Sequence, residues 1–305
     1  MNDKSEERKS SSTAVEKIRL EKSAEQKETE EKRTHLPEYV VGFSLLTILV
    51  SLVLIYYIDL QNAAGLRDML FDLNPDYFFF DYRPFVFYHW YRNGGVAELF
   101  QWLFLGGTAL ITSFIAARVM DKDRRTFVFW GIMAVFFMLM LIEDAGDPRH
   151  TFRSYVQAIF SEPYQGTMGS ISELVYFSLL GLIPIYALIR YGQVLQDCLR
   201  GLIYFGAGFL FYALATVLSF LGSAVGLYNQ AGNVLREILI EWGDPLLYYQ
   251  WYSFDVEEGW EFVSFFLMDS LVEEALELMG AAAFLAAAIS YYYHLEHKRK
   301  VSDPG

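Results

Sequence analysis

Four acidic residues, Asp269, Glu273, Glu274 and Glu277, open the last apolar run of the chain. Asp269, Glu273 and Glu277 recur every fourth position, which puts them on one face of a helix. Glu277 stands 14 residues before the aromatic run Tyr291-Tyr292-Tyr293, roughly 21 Å at 1.5 Å per residue. Against a hydrocarbon layer of about 30 Å, that spacing puts Glu277 some ~9 Å inside the outer boundary and Glu273 near it. A carboxylate at that depth has to face protein or a water-filled cavity. The chemistry open to it there is cation binding or proton exchange.

A second acidic group follows the third apolar run: Glu143-Asp144-Ala145-Gly146-Asp147-Pro148-Arg149-His150. Carboxylates at a helix C-terminus oppose the helix dipole, so a positive partner is required. Arg149, His150 or a bound cation are the nearest candidates. Carboxylate oxygens beside a glycine-containing turn suit a divalent cation such as Ca²⁺ or Mg²⁺, although the spacing is not that of the twelve-residue calcium loop. The expected site joins Glu143, Asp144, Asp147, Glu273 and Glu277 as cation ligands. Arg149 and His150 would balance charge, and Glu98 and Glu173 would line the rim. The simpler alternative is a polar turn in which Arg149 neutralises its own carboxylates.

Other chemistries find little support. The chain has no phosphate loop, dinucleotide fingerprint or zinc-protease motif. Ser170 and Ser172 lack a nucleophile elbow, and no catalytic residue is assigned. His294 and His297 sit beside Lys298–Lys300, where cations at a helix end need no further explanation. His89 falls in an aromatic stretch. The one cysteine, Cys198, excludes an intrachain disulfide and a cysteine metal site.

These residues need elements that hold them. The 305 residues are 54% hydrophobic and 17% aromatic yet carry a net charge of −13. Six apolar runs of membrane-spanning length are expected as helices at about 39–58, 99–120, 126–142, 174–189, 202–224 and 271–293. The reading is all-α: a polytopic integral membrane protein of six transmembrane helices, with interfacial helices and aromatic loops on its outer face. Residues 1–35 hold 9 basic and 9 acidic side chains and almost nothing apolar, which predicts a disordered cytoplasmic tail. Residues 36–298 form the membrane domain and 299–305 a short second tail. The N-terminus lacks a basic-then-apolar signal-peptide pattern, so the first helix is expected to be retained.

Orientation follows from Arg118, Lys122, Arg124, Arg125, Arg190, Arg200 and Lys298–Lys300, which six spans bring to one side. Positive charge marks that side as cytoplasmic in a cell membrane, with both termini on it. The opposite segments, 59–98, 143–173 and 225–277, contain 22 acidic residues and 6 arginines, a net −16. That excess attracts cations and argues against nucleic acid as a partner. The aromatic stretches Tyr77–Phe80, Phe85–Tyr91 and Tyr248–Tyr252, with the periodic segment Val234–Trp242, are expected to lie in the headgroup layer.

The outside-to-inside runs begin alike: Gly95-Val96-Ala97-Glu98, Ser170-Ile171-Ser172-Glu173 and Ser270-Leu271-Val272-Glu273. A small residue followed three positions later by Glu is the pattern of a capping box. It accounts for Glu98 and Glu173 without chemistry, and it hints at three related hairpins. Together with the acidic pair ending the third helix and Glu273–Gly280 opening the sixth, these starts resemble a group of uncharacterised prokaryotic multi-pass membrane proteins. That group continues the acidic pair with Trp-Gly-Gln-Arg, where this chain has Gly146-Asp147-Pro148-Arg149. The resemblance implies a shared acidic outer site and no particular ligand.

The function expected is cation- or proton-binding at the outer boundary, as in a cation-coupled carrier or a sensing subunit. Two alternatives stand beside it. One is an interfacial enzyme acting on a lipid-linked substrate. The other is a non-catalytic assembly or scaffold protein that meets a membrane or cytoplasmic partner through residues 1–35.

Overall fold

The computed structural model describes residues 35–72, 85–91, 94–160, 165–225, 227–242 and 267–302. The charged tail before residue 35 and the stretches Tyr77–Phe80 and Tyr248–Tyr252 lie outside them. The described residues are helical apart from short turns, and no strand occurs among them. In chain order the helices are α1 (Leu36–Leu54), α2 (Leu66–Asp72), α3 (Phe85–Tyr91), α4 (Val96–Val119), α5 (Arg124–Gly146), α6 (Pro148–Ile159), α7 (Gln165–Tyr191), α8 (Gln193–Gln196), α9 (Leu199–Val225), α10 (Leu227–Trp242) and α11 (Glu274–Ser302). A wider π-helical turn extends α1 through Ile55–Leu60, and another, Leu267–Glu273, leads into α11.

Five helices are long and apolar enough to cross a membrane: α1 with its extension, α4, α5, α7 and α9. Helix α1 packs the inverse way to a helix of a water-soluble bundle. The buried residues of α1 include Ser44, Thr47 and Ser51, whereas Leu45, Leu46, Leu49 and Leu52 face outward. The serine hydroxyls donate to carbonyls of their own helix, Ser44 to Val40 at 3.1 Å and Ser51 to Ile48 at 2.7 Å. Small polar residues between helices with leucine outside is the arrangement a hydrocarbon solvent favours.

The sixth expected run is α11, which is not among these five helices. It is the central helix, packed most extensively on α9 and then on α4 and α1. Ala281, Ala282, Ala283, Ala286, Ala287 and Ala288 are buried along it, so neighbouring backbones approach closely. Around it, Phe137 and Phe284 pack with ring centres 4.9 Å apart, and Trp130 and Tyr291 at 4.8 Å.

The long helices alternate in direction, and ion pairs mark the basic end. Arg118 pairs with Glu296, Arg200 with Glu38, and Lys298 with Asp197 at 3.8 Å. There Asp123 caps α5 by accepting from the Arg125 and Thr126 backbone amides and the Thr126 hydroxyl. That hydroxyl bond, with the amides, holds the Asp123 carboxyl below its usual range despite slight desolvation.

Several expected extents change. Helix α5 runs through Gly146, so Glu143 and Asp144 occupy its last turn rather than a following loop. Helix α7 begins at Gln165, nine residues before the apolar run, so Ser170 and Glu173 are interior and no capping box forms there. The extra turns rest against α6, a helix with no apolar-run signal. The aromatic stretch Phe85–Tyr91 is helical and packs on the protein. These residues form α3, with Phe87 and Tyr91 buried against the bundle. The buried Asp59 carboxylate accepts from the Val86 and Phe87 amides at 3.0 and 2.8 Å, fixing the start of α3.

Gly280 sets the closest approach of α11 to α9. A Cβ there would stand 2.6 Å from the Tyr212 ring and 3.3 Å from the Gly208 carbonyl oxygen. Gly280→Ala is expected to cost about 1–3 kcal/mol through overpacking. Gly131→Ala, whose added Cβ meets nothing within 4 Å, serves as the control. Thermal unfolding in detergent reads both, and equal melting of Gly280→Ala and wild type would refute the close-approach argument.

Candidate functional site

Nearly every acidic residue singled out from the sequence converges at the end of the bundle opposite the ion pairs. A cavity of about 360 Å³ is lined by Glu98 of α4, Glu143 and Asp144 of α5, Asp147 at the α5–α6 joint, and Glu173 of α7. Asp269, Glu273, Glu274 and Glu277 close it from the other side, and Arg149, His150 and Arg153 lie among them. Helix α11 delivers its carboxylates here because Glu277 follows Glu273 by one turn. Helix α5 delivers Glu143 and Asp144 because it remains helical beyond its apolar run.

At the floor sits a residue absent from the expected set. Gln101 of α4 is fully buried, and its Nε2 donates to Asp144 Oδ1 and to Glu277 Oε2, each at 2.9 Å. One amide thus ties three helices together. Trp102 and Glu274 also line the cavity without having been assigned a role, and Trp102 Nε1, Asp144 Oδ2 and Glu274 Oε2 are buried without a hydrogen-bond partner. A neutral Gln or Trp in an apolar run carries no spacing or charge signal. Glu274 was visible only as a member of the acidic opening.

The positive groups sit toward the rim. Arg149 Nε lies 3.7 Å from Glu143 Oε1, and its guanidinium stacks 5.0 Å above the Phe177 ring. Burial works against the Arg149 charge, but Glu143 and the other carboxylates outweigh it and hold its pKa above the usual value. His150 Nδ1 is 2.6 Å from both Asp147 oxygens, and the pair is about half exposed. Among the carboxylates, Arg149 thus lies beside Glu143 and His150 beside Asp147.

The rim residues divide. Glu98 does act as a cap, accepting from the Gly94 amide at the start of α4. Glu173 does not: it accepts from Arg153 at 3.0 Å and lies 3.9 Å from His150 Nε2. Glu273 is not a cap either, because the turn before it is already helical; it accepts from the Tyr228 hydroxyl of α10. Burial and then the charge of Glu273 raise the Tyr228 pKa well above its ordinary value, so that hydroxyl remains a donor.

For a divalent cation the arrangement is a poor match. Among the described residues no three His, Cys, Asp or Glu side chains form a group that could hold a metal ion. Calcium needs six to eight convergent oxygens at short range. Here the carboxylates are spread around a cavity wall and partly engaged by Gln101, Arg149 and Arg153.

A second cavity, about 230 Å³ and mostly apolar, adjoins the first. Phe136 and Met140 of α5, Phe177 through Leu188 of α7, Phe209 through Thr216 of α9, and Phe284 contribute to its walls. Glu143, Asp144 and Glu277 line both cavities. The chain matches no protein-family model, no curated protein and no solved structure.

Gln101→Leu tests the floor. It keeps the volume but removes the Nε2 donor that Asp144 and Glu277 share. The expected loss is about 1–3 kcal/mol of stability, the cost of leaving buried acceptors unmet. Thermal unfolding in detergent reads it; a variant that melts at or above wild type would remove Gln101 from its structural role.

Proposed function

We propose that this is a six-span membrane protein whose outer-end acidic cavity binds protons or a monovalent organic cation, as a cation-coupled carrier or sensing subunit would. The observation that carries the reading is the sharing of one Gln101 amide by Asp144 and Glu277. Two carboxyls that close resist carrying two charges unless something positive compensates. Arg149 and Arg153 are committed to Glu143 and Glu173. The charge at the floor is then left to a proton or an entering cation. The dispersed carboxylates favour these over a divalent metal, which needs a tighter oxygen cage.

The test is pH-difference infrared spectroscopy of the purified protein, reading the carbonyl stretch of protonated carboxyl groups. The wild type is expected to show a titrating carboxyl band that Asp144→Asn or Glu277→Gln diminishes. Spectra of both variants identical to wild type would sink the proposal.

Helix α11 supplies the sixth span in this reading. It begins beside Asp144 at the acidic end and reaches Glu296 and Lys298 at the basic end, traversing the bundle as its neighbours do. With the basic end cytoplasmic, the apolar stripe Phe152, Tyr155 and Ile159 of α6 and the pair Val234 and Ile238 of α10 would rest on the outer leaflet. Single cysteines in a Cys198→Ser background test this with an impermeant thiol reagent on intact cells. Ser154→Cys, exposed on α6 away from the apolar stripe, should label directly, and Asp121→Cys and Ser302→Cys only after permeabilisation. Labelling of Ser302→Cys from outside would exclude α11 as a span.

A further inference from the structure

The two cavities share a wall, and that shared wall defines a ligand class. We infer that they form one bipartite site for a single-chain amphiphile with a primary ammonium head. The head would sit among Asp144, Glu274 and Glu277, and the tail would lie in the apolar chamber between α7 and α9. This inference rests on the proposed cation-binding role of the acidic cavity and names what the cation is attached to.

Three observations converge. Among the described residues, Asp144 Oδ2 and Glu274 Oε2 are buried acceptors with no hydrogen-bond partner, and both belong to residues lining the acidic cavity. Buried acceptors are costly unless donors reach them, and an ammonium brings three donors with a positive charge. Nine carboxylates surround that cavity against two arginines and one half-exposed histidine, so its charge selects a cation over a fatty acid or a phosphate. The chamber then continues from Glu143, Asp144 and Glu277 into an apolar channel rather than ending in packed core.

The chamber has a length suited to a chain. Along α7 its lining extends from Phe177 to Leu188, roughly 16 Å at the helical rise. An extended chain gains about 1.2 Å per bond, so a tail of about 12 carbons fits. Gly181 and Pro184 lie on this wall. Pro184, inside α7, breaks the helix hydrogen-bond ladder there. A Cβ added at Gly181 would meet nothing within 4 Å, so a larger side chain there can occupy the chamber without displacing a neighbour.

Native mass spectrometry of the full chain released from detergent tests this with dodecylamine, dodecanoic acid and propylamine as probes. One dodecylamine per chain is expected, with dodecanoic acid and propylamine each bound at least about tenfold more weakly. Asp144→Asn and Glu274→Gln should each weaken dodecylamine by about tenfold or more. Gly181→Leu should abolish dodecylamine binding while leaving the titrating infrared carboxyl band in place. Equal retention of dodecanoic acid, or undiminished dodecylamine binding by Gly181→Leu, would overturn the bipartite site. A carboxyl band present with no dodecylamine bound would overturn this inference alone, whereas loss of the band's dependence on Asp144 and Glu277 would overturn the reading beneath it.

Discussion

A carboxylate buried among apolar helices has to be met by protein, and that constraint decides which helix stands in the middle of this bundle. Helix α11 brings Glu274 and Glu277, with Asp269 and Glu273 in the turn before it. Were α11 peripheral, these groups would face lipid at a cost of several kcal/mol each. Placed centrally, Glu277 meets Gln101 and Glu273 meets Tyr228. The alanines that follow make the central position feasible, because a narrow helix lets α9, α4 and α1 pack around it. The acidic opening and the alanine-rich body of α11 are thus two halves of one solution.

The two ends of the bundle handle charge differently. At the basic end, Arg118, Arg200 and Lys298 each find one acidic partner. Such pairs are locally neutral and exposed enough to contribute little to stability. At the other end nine carboxylates share two arginines and a histidine around one cavity. Stability alone does not call for that excess, since apolar residues of similar volume would pack without desolvating charge. Its gathering around one cavity is what makes the acidic end, rather than the basic one, the place where binding is expected.

How much of this was legible in the sequence depended on the physical signal each residue emits. Helices announce themselves by long apolar runs, so the five helices long and apolar enough to cross a membrane were visible, and α11 was visible as a helix through the same pattern despite its acids. Glu143, Asp144, Asp147, Glu273 and Glu277 stood out by their charge, and all five line one cavity. Gln101 was not legible, because a neutral amide in an apolar run looks the same whether it bridges carboxylates or faces a neighbouring carbonyl. The caps misled in an instructive way. Small-x-x-Glu describes a local possibility, but a helix starts where tertiary contact permits, and α6 lets α7 start at Gln165, upstream of Ser170. Only at Glu98, with Gly94 at positive φ just before α4, did local pattern and helix start coincide.

The joint between α5 and α6 shows how backbone conformation makes the charge balance work. Asp147 adopts a left-handed conformation, φ 47°, unusual for a residue with a side chain. Its amide closes α5 by donating to the Glu143 carbonyl at 2.9 Å, and Pro148 opens α6 immediately afterwards. The chain therefore reverses within one residue. Arg149 returns over the last turn of α5, where it reaches Glu143. Without that reversal α5 would end with Glu143 and Asp144 against its own negative dipole and no cation near. Asn and Asp tolerate this conformation better than other side-chain-bearing residues, and only Asp also offers His150 a carboxyl group. The strained residue is thus a consequence of the acidic cavity: the geometry that costs energy at Asp147 is the one that brings positive charge to its rim and leaves the floor, at Asp144 and Glu277, for a ligand.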